Sequence, residues 1–89
     1  MSMRIPVSDD SIEGVLSDVK QKLAARLVQK GRGTFVSRHE ILGVAAEEFA
    51  EVIEAVHSGT DEDVIQELLD LAVAAVFGIA SINRGGTDW

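Results

Sequence analysis

Apolar residues recur at three- and four-residue steps along most of the chain, which is the spacing of one face of an α-helix. The first such segment runs from about residue 9 to residue 30. It should begin at the polar cluster of residues 8–11 and end at Gly31. Its repeating apolar positions are Ile12, Val15, Leu16, Val19, Leu23 and Leu27.

The second helical segment covers about residues 38–58. Ser37 and Glu40 have the spacing of a capping box, in which the serine caps the helix and the glutamate returns to the amide of the cap. Gly59 suits a left-handed residue at the end of the helix. Phe49, on the apolar stripe of this segment, and Phe77, in the third, are expected in the core.

The third segment, about residues 61–83, starts at a cap formed by residues 60–63. Residues 68–82 are apolar nearly all round, which is typical of a helix covered on several sides. Three helices in one short chain cannot cover it. We therefore expect an all-α bundle, a single domain over residues 1–89, built on an antiparallel hairpin of the second and third helices. Its core would be completed in a homodimer or homotetramer.

Composition narrows the function classes. A chain of 89 residues is marginal as a monomer, and the absence of cysteine excludes disulfides, zinc-thiolate sites and a cysteine nucleophile. The net charge of −7 argues against nucleic-acid binding. The longest apolar run, residues 71–80, is about half of what a membrane helix needs, and the first residues contain no apolar stretch of signal-peptide length, so export is not expected. The sequence predicts a cytoplasmic protein that does not bind membranes.

The distribution of charge is more informative than its sum. Six of the eight basic residues lie between residues 20 and 38, and none lies between residues 39 and 83, where ten carboxylates fall. Helices on a protein surface usually pair acids and bases four residues apart, and this region cannot do so within itself. Either a metal cation or the basic segment must neutralise these acids.

Two pairs of carboxylates have the spacing of one helical turn. Glu48 and Glu51 share one side of the second helix, and Glu67 and Asp70 share one side of the third. If the two helices are neighbours, four carboxylates meet at one point and need a cation between them. An all-oxygen ligand set favours Mg²⁺, with Mn²⁺ as an alternative, and the natural chemistry is hydrolysis of a phosphoanhydride or phosphodiester by a metal-activated water.

The spacing of these acids resembles a known superfamily. Residues 47–51, Glu-Glu-Phe-Ala-Glu, and residues 67–70, Glu-Leu-Leu-Asp, are similar to the motifs of the MazG-like all-α NTP pyrophosphatases, over roughly residues 33–82. The resemblance implies an oligomeric enzyme that cleaves nucleoside triphosphates to the monophosphate and pyrophosphate, by attack of metal-activated water. It implies that Glu48, Glu51, Glu67 and Asp70 are metal ligands. Glu47 would bind a further metal or orient a water, so that Glu47 and Glu48 are the catalytic pair.

The residues that would contact the nucleotide are less clear from sequence. Scattered aromatic or ring side chains could meet the base, namely Phe35, His39 and Trp89. Contacts to the phosphates would come from basic side chains of the same or a neighbouring subunit, namely Lys30, Arg32 and Arg38, or Arg84. Small residues continue the line of Glu67 and Asp70 along the third helix, leaving room for a nucleotide or for a closely packed helix; they are Ala74, Gly78 and Ser81.

Two other functions remain open at this stage. The chain could be a metal- or nucleotide-binding protein without turnover, or a structural helical oligomer whose acids form a solvated face. Glu40 and Glu54 are expected to be solvated in any case. A di-iron site is disfavoured, because Glu54 and His57 supply only one copy of the Glu-x-x-His motif and the histidine suits the end of its helix.

Overall fold

The computed structural model describes residues 3–87, and the regular structure within them is entirely helical. Helix α1 spans Asp9–Lys30, α2 spans Arg38–Ser58 and α3 spans Asp61–Arg84. The sequence predicted helices at about residues 9–30, 38–58 and 61–83. The all-α class is confirmed.

Side chains at the helix starts satisfy the free backbone amides there. Thr60 and Asp63 form a reciprocal capping box at α3, with N···O distances of 2.9 and 3.2 Å. Ser37 Oγ accepts from the Glu40 amide at 3.1 Å, as expected. The Glu40 side chain, however, accepts from the amide of Val36 at 2.7 Å rather than from that of the cap residue, so the predicted capping box at α2 is shifted by one residue.

The turn between α2 and α3 uses glycine for a different reason than the sequence suggested. Gly59 has φ −104° and ψ −178°, an extended conformation, so the expectation of a left-handed residue is wrong. A Cβ at this position would lie 2.9 Å from the Ala55 carbonyl oxygen and 3.0 Å from Asp63 Cβ. Glycine is required because the chain passes so close to both helix ends.

Helix α3 lies at the centre and packs against both α1 and α2. Within residues 3–87, no Cα atom of α1 comes within 8 Å of a Cα atom of α2. Most of the buried helical positions belong to α3, and α1 has none. At Gly78 a Cβ would be 3.2 Å from Ile41 Cγ2, so the missing side chain allows α2 to approach α3 closely. Because α1 and α2 both pack against α3 but do not pack against each other, a groove lies between them.

A single chain leaves much of its apolar surface uncovered. The radius of gyration is 15.0 Å, whereas a compact domain of this length has about 12 Å. The accessible surface is 7026 Å², whereas a folded monomer of this mass exposes about 5,000 Å². Phe49 is 55% exposed, so its expected place in the core is wrong for the isolated chain. Exposed apolar side chains occur on all three helices and include Leu16, Ile53, Val56, Ile79 and Ile82.

The length and composition of α3 are relevant to whether the protein could cross a membrane. It is long and apolar enough to span one by length and composition, with a mean hydropathy of 1.8 over its best window. The central helix of a soluble protein meets the same criterion. The length of α3 therefore weakens the sequence argument from the short run of residues 71–80, and leaves the location of the protein a prediction.

Candidate metal centre

Four carboxylates from two helices meet on one side of α3. Glu48 and Glu51 are one turn apart on α2, and Glu67 and Asp70 are one turn apart on α3. One oxygen from each lies within 4.8 Å of the corresponding oxygens of the other three. The one-turn spacing places each pair on a single face, and the packing of α2 on α3 brings the two faces together. We call these four residues the acidic cluster.

Glu48 occupies the least hydrated place in the acidic cluster. Its Oε2 atom is buried, and within the described residues it has no hydrogen-bond partner. Burial raises the pKa of the Glu48 carboxyl, and repulsion from Glu51 and Asp70 raises it further. Arg26 acts in the opposite direction and lowers the pKa of Glu48. A buried oxygen without a donor is costly, so this position calls for a proton or a cation.

Glu67 shows the same deficit of positive charge. A hydrogen bond to the Glu51 carboxylate is the largest cause raising the pKa of Glu67, followed by burial and by repulsion from the other carboxylates of the cluster. Its Oε2 atom is also buried, and no donor among residues 3–87 reaches it. The pKa values of two of the four carboxyls are therefore raised, that of Glu48 mainly by burial and that of Glu67 mainly by its hydrogen bond with Glu51.

Asp70 differs, because α1 supplies cations to it. The Lys22 ammonium lies 2.9 Å from Asp70 Oδ1, and Arg26 Nη1 lies 3.9 Å from the same oxygen. Lys22 also donates to the Gln66 side-chain oxygen at 3.0 Å and to the Gln66 carbonyl at 3.3 Å. The basic segment thus neutralises one member of the acidic cluster, while the buried oxygens of Glu48 and Glu67 are left without a donor.

A cleft of about 330 Å³ occupies the groove between α1 and α2 and reaches the acidic cluster at Glu48. Ligand pockets in proteins typically have volumes of about 300–1,000 Å³. One wall is formed by α1, with Leu23, Arg26, Leu27 and Lys30. The opposite wall is formed by α2, with Glu40, Val44, Glu47 and Glu48. The floor is formed by α3, with Val73, Ala74 and Phe77.

The segment between α1 and α2 closes the cleft away from the acids. Phe35 lines the cleft and packs edge-on against Phe77, with ring centroids 5.2 Å apart and ring planes at 85°. The Phe35 amide donates to Ser81 Oγ at 3.1 Å, which fixes the segment to α3. Apolar and aromatic surface therefore lies in the same cleft as the carboxylates of Glu47 and Glu48.

The sequence left open whether the small residues of α3 make room for a nucleotide or for a closely packed helix, and the structure places them in both settings. Ala74 lines the cleft and leaves room in it. Gly78 lies against Ile41 and allows close helix packing. Ser81 is buried and holds the segment that carries Phe35.

The residues proposed for catalysis and substrate binding are divided between the cleft and the outer surface. Glu47 and Lys30 line the cleft. The remaining basic candidates and the proposed base contact His39 do not line it; they are Arg32, Arg38, His39 and Arg84. Trp89 lies outside the described residues.

Sequence reasoning missed the importance of Lys22 and Arg26. With Lys30 they form a stripe at four-residue steps on α1. Four-residue spacing places side chains on one helix face, and the half-buried Leu23 and Leu27 beside them mark that face as the one toward α3. This signal was present in the sequence.

The acidic cluster has the chemistry and nearly the size of a divalent cation site. Opposed oxygen ligands are about 4.2 Å apart around Mg²⁺ and about 4.6–5.2 Å apart around Ca²⁺. The four chosen oxygens lie within 4.8 Å of one another, which is compatible with Ca²⁺ and, after side-chain shifts of under about 1 Å, with Mg²⁺. The four residues could hold a metal ion, and their geometry does not select which one.

A scan against protein-family models, a search of curated proteins and a search of solved structures each found no match to this chain. The resemblance to the MazG-like superfamily therefore stays a prediction that rests on residues 47–51 and 67–70.

Proposed function

We propose that the protein is a divalent-metal-dependent nucleoside triphosphate pyrophosphohydrolase that works as a homo-oligomer. The observation that supports this most is the acidic cluster at the edge of the cleft, with two buried carboxylate oxygens that lack a donor. A solvated acidic face has no reason to bury such oxygens. The spacing of the acids, which resembles that of the MazG-like enzymes, selects the reaction among metal-dependent hydrolyses.

Glu48, Glu51, Glu67 and Asp70 would hold the cation, with Mg²⁺ preferred and Mn²⁺ as an alternative. When bound, a divalent cation polarises phosphoryl oxygens and lowers the pKa of a coordinated water. The protein would hold the triphosphate between this cluster and the α1 wall. Arg26 lines the cleft with a single ionic contact at 3.9 Å among the described residues, so its remaining N–H groups are free to bind phosphate oxygens. Lys30 lies on the same wall.

Glu47 is the residue we propose as the proton acceptor. It lines the cleft beside Glu48 and is exposed to solvent, so a water can reach it. The water oxygen would bond to the α phosphorus, the bond from that phosphorus to the α–β bridging oxygen would break, and the water proton would pass to Glu47. The products are a nucleoside monophosphate and pyrophosphate. The aromatic end of the cleft, with Phe35 and Phe77, suits the base and sugar.

We propose a homodimer or homotetramer, in which α2 and α3 form an antiparallel hairpin whose core a partner chain completes. The chain exposes about 2,000 Å² more than a folded monomer of its mass. Two chains together carry about 4,000 Å² of such excess, and obligate interfaces bury about 2,000–5,000 Å² counted over both partners, so stable association could remove it.

A cytoplasmic location is part of the same proposal. Glu67 and Asp70 lie within α3, and carboxylates inside a membrane span are costly. The ion pair of Asp70 with Lys22 also ties α3 to α1 along its side. Both facts favour α3 as the central helix of a soluble bundle.

One observation favours a protein without turnover. Lys22 and Arg26 already neutralise Asp70, which is how a structural helix packing would also use these charges. In that case the protein would be a catalytically silent metal- or nucleotide-binding protein, or a structural helical oligomer.

The test is a panel of ribo- and deoxyribonucleoside triphosphates incubated with the protein and Mg²⁺, with products separated by ion-exchange chromatography. We expect the monophosphate and pyrophosphate, no product with EDTA, and loss of turnover in Glu51→Gln. Glu54→Gln, one turn away on the same helix and outside the acidic cluster, should keep its activity. Diphosphate and orthophosphate as products would refute the assignment, and no product with any nucleotide would favour the protein without turnover.

A further inference from the structure

The contact between Lys22 and Asp70 is the closest ion pair among the described residues, and it lies inside the acidic cluster. The ammonium is 2.9 Å from Asp70 Oδ1, and the two side chains are only 27% and 20% exposed. The ammonium also donates to two oxygens of Gln66, the side-chain oxygen and the backbone carbonyl. The Lys22 ammonium is thus bound to Asp70, which is one of the four carboxylates that a divalent cation in the acidic cluster would use as a ligand.

We propose that Lys22 is an internal competitor of the divalent cation: it pairs with Asp70, and it must leave this carboxylate when a metal binds there. The proposal rests on the metal site of the proposed function and adds to it a residue that sets metal affinity. Neither the spacing of the acids nor the chemistry of the reaction requires a lysine at this place.

The sign of the effect follows from charge. An ammonium at Asp70 stabilises the metal-free state, and after displacement it remains tethered to α1 close to a divalent cation, where it repels that cation. Both effects weaken metal binding. Arg26, at 3.9 Å from the same oxygen, is more distant and holds Asp70 less strongly. A residue that merely orients Asp70 for the metal would have the opposite effect, because its loss would weaken binding.

The displaced ammonium has a second consequence. Lys22 is half-buried and paired with Asp70, so displacement by a metal should expose its ammonium to solvent. Lys20 lies on the same helix, is exposed, and makes no ion pair within residues 3–87. It provides a matched control for charge, helix position and chemical reactivity.

The first measurement is Mn²⁺ binding to the full chain without nucleotide, by isothermal titration calorimetry at fixed ionic strength. Lys22→Gln removes the charge and keeps a side chain that can bond to Gln66. We expect it to bind Mn²⁺ about tenfold more tightly than the wild type, as loss of a partly buried competing charge implies. Lys22→Arg and Lys20→Gln should stay within about twofold of the wild type.

The second measurement uses the unmodified protein, so it stands even if a variant does not fold. Amine acetylation is followed by peptide mass spectrometry with EDTA and with excess Mg²⁺. The rate at Lys22 should rise with Mg²⁺ relative to the rate at Lys20. An unchanged ratio would overturn the displacement.

The outcomes separate this inference from the metal site itself. If the wild type binds Mn²⁺ and Glu51→Gln does not, the site stands; equal or weaker binding by Lys22→Gln then refutes the competition alone. If the wild type binds no Mn²⁺, or Glu51→Gln binds it equally well, the proposed metal site falls and the inference falls with it.

Discussion

Neutralising Glu48 should stabilise the protein when metal is absent. The chosen oxygens of the acidic cluster lie within 4.8 Å of one another, and two unit charges at that distance repel by about 3.5 kcal/mol at an effective dielectric of 20. Solvent reaches the cluster on one side, so screening reduces the net effect of removing one charge to about 1 kcal/mol. Glu48→Gln retains the shape of the side chain, and its amide can donate to a neighbouring carboxylate.

For a domain of this size, 1 kcal/mol corresponds to a shift in Tm of about 4–8 °C. We expect Glu48→Gln to melt higher than the wild type by about that much in EDTA, at equal protein concentration. With excess Mg²⁺ the wild type should melt at a higher temperature than Glu48→Gln. Ligand at a hundred times its Kd stabilises the folded state by about 2.7 kcal/mol, and the variant would lose most of that gain.

Glu62→Gln is the matched control, because Glu62 is exposed in the first turn of α3 and lies outside the acidic cluster. Its loss removes a favourable interaction with the helix dipole and should lower Tm slightly. The assay is thermal unfolding by circular dichroism with EDTA and with Mg²⁺. If the two variants shift Tm in the same direction in EDTA and respond equally to Mg²⁺, the carboxylates do not act as one site.

Two further predictions concern pH and assembly. The pKa values of Glu48 and Glu67 are raised, so their contribution to stability is present below the ordinary value of 4.5 and is lost as pH rises through the raised values. Between pH 4.5 and 7, the Tm difference between Glu48→Gln and wild type in EDTA should therefore grow with pH; a constant difference would contradict the raised pKa of Glu48. Val76 is 41% exposed on α3, so Val76→Glu should prevent association and unfold the chain, as seen by sedimentation equilibrium and circular dichroism; a folded monomer would contradict the burial argument.

The helices could be predicted from sequence because their signals are local. The apolar spacing, the polar cap at the start of each helix and the glycine at its end can each be recognised within a few residues. Together they predict α1, α2 and α3. The errors arose where a local motif had two geometric solutions. Glu40 bonds to Val36 rather than to the cap, and Gly59 is extended because of a close approach that no local rule reveals.

The acidic cluster could be anticipated from the one-turn spacing of its pairs, and the stripe of basic residues on α1 from its four-residue spacing, but the sequence does not show that this stripe meets Asp70. Lys22 and Asp70 are 48 residues apart, and their contact depends on how α1 is placed along α3. From the charge pattern, we expected either a metal or the basic segment to neutralise the acids, and we treated these as alternatives. Among the described residues the ion pairs of the basic segment within the acidic cluster end on Asp70, Arg26 also lowers the pKa of Glu48, and the buried oxygens of Glu48 and Glu67 remain without a donor.

This division of charge connects the acidic cluster to the shape of the cleft. Helix α1 has no fully buried residue, and its ionic contacts with α3, through Lys22 and Arg26, end on Asp70. The same helix forms one wall of the cleft. A divalent cation bound to Asp70 would weaken the ion pairs of Lys22 and Arg26 that hold α1 against α3. It would also strengthen the packing of α2 on α3, because both helices supply its ligands. We expect metal binding to change the width of the cleft, because the wall and the metal depend on the same carboxylate.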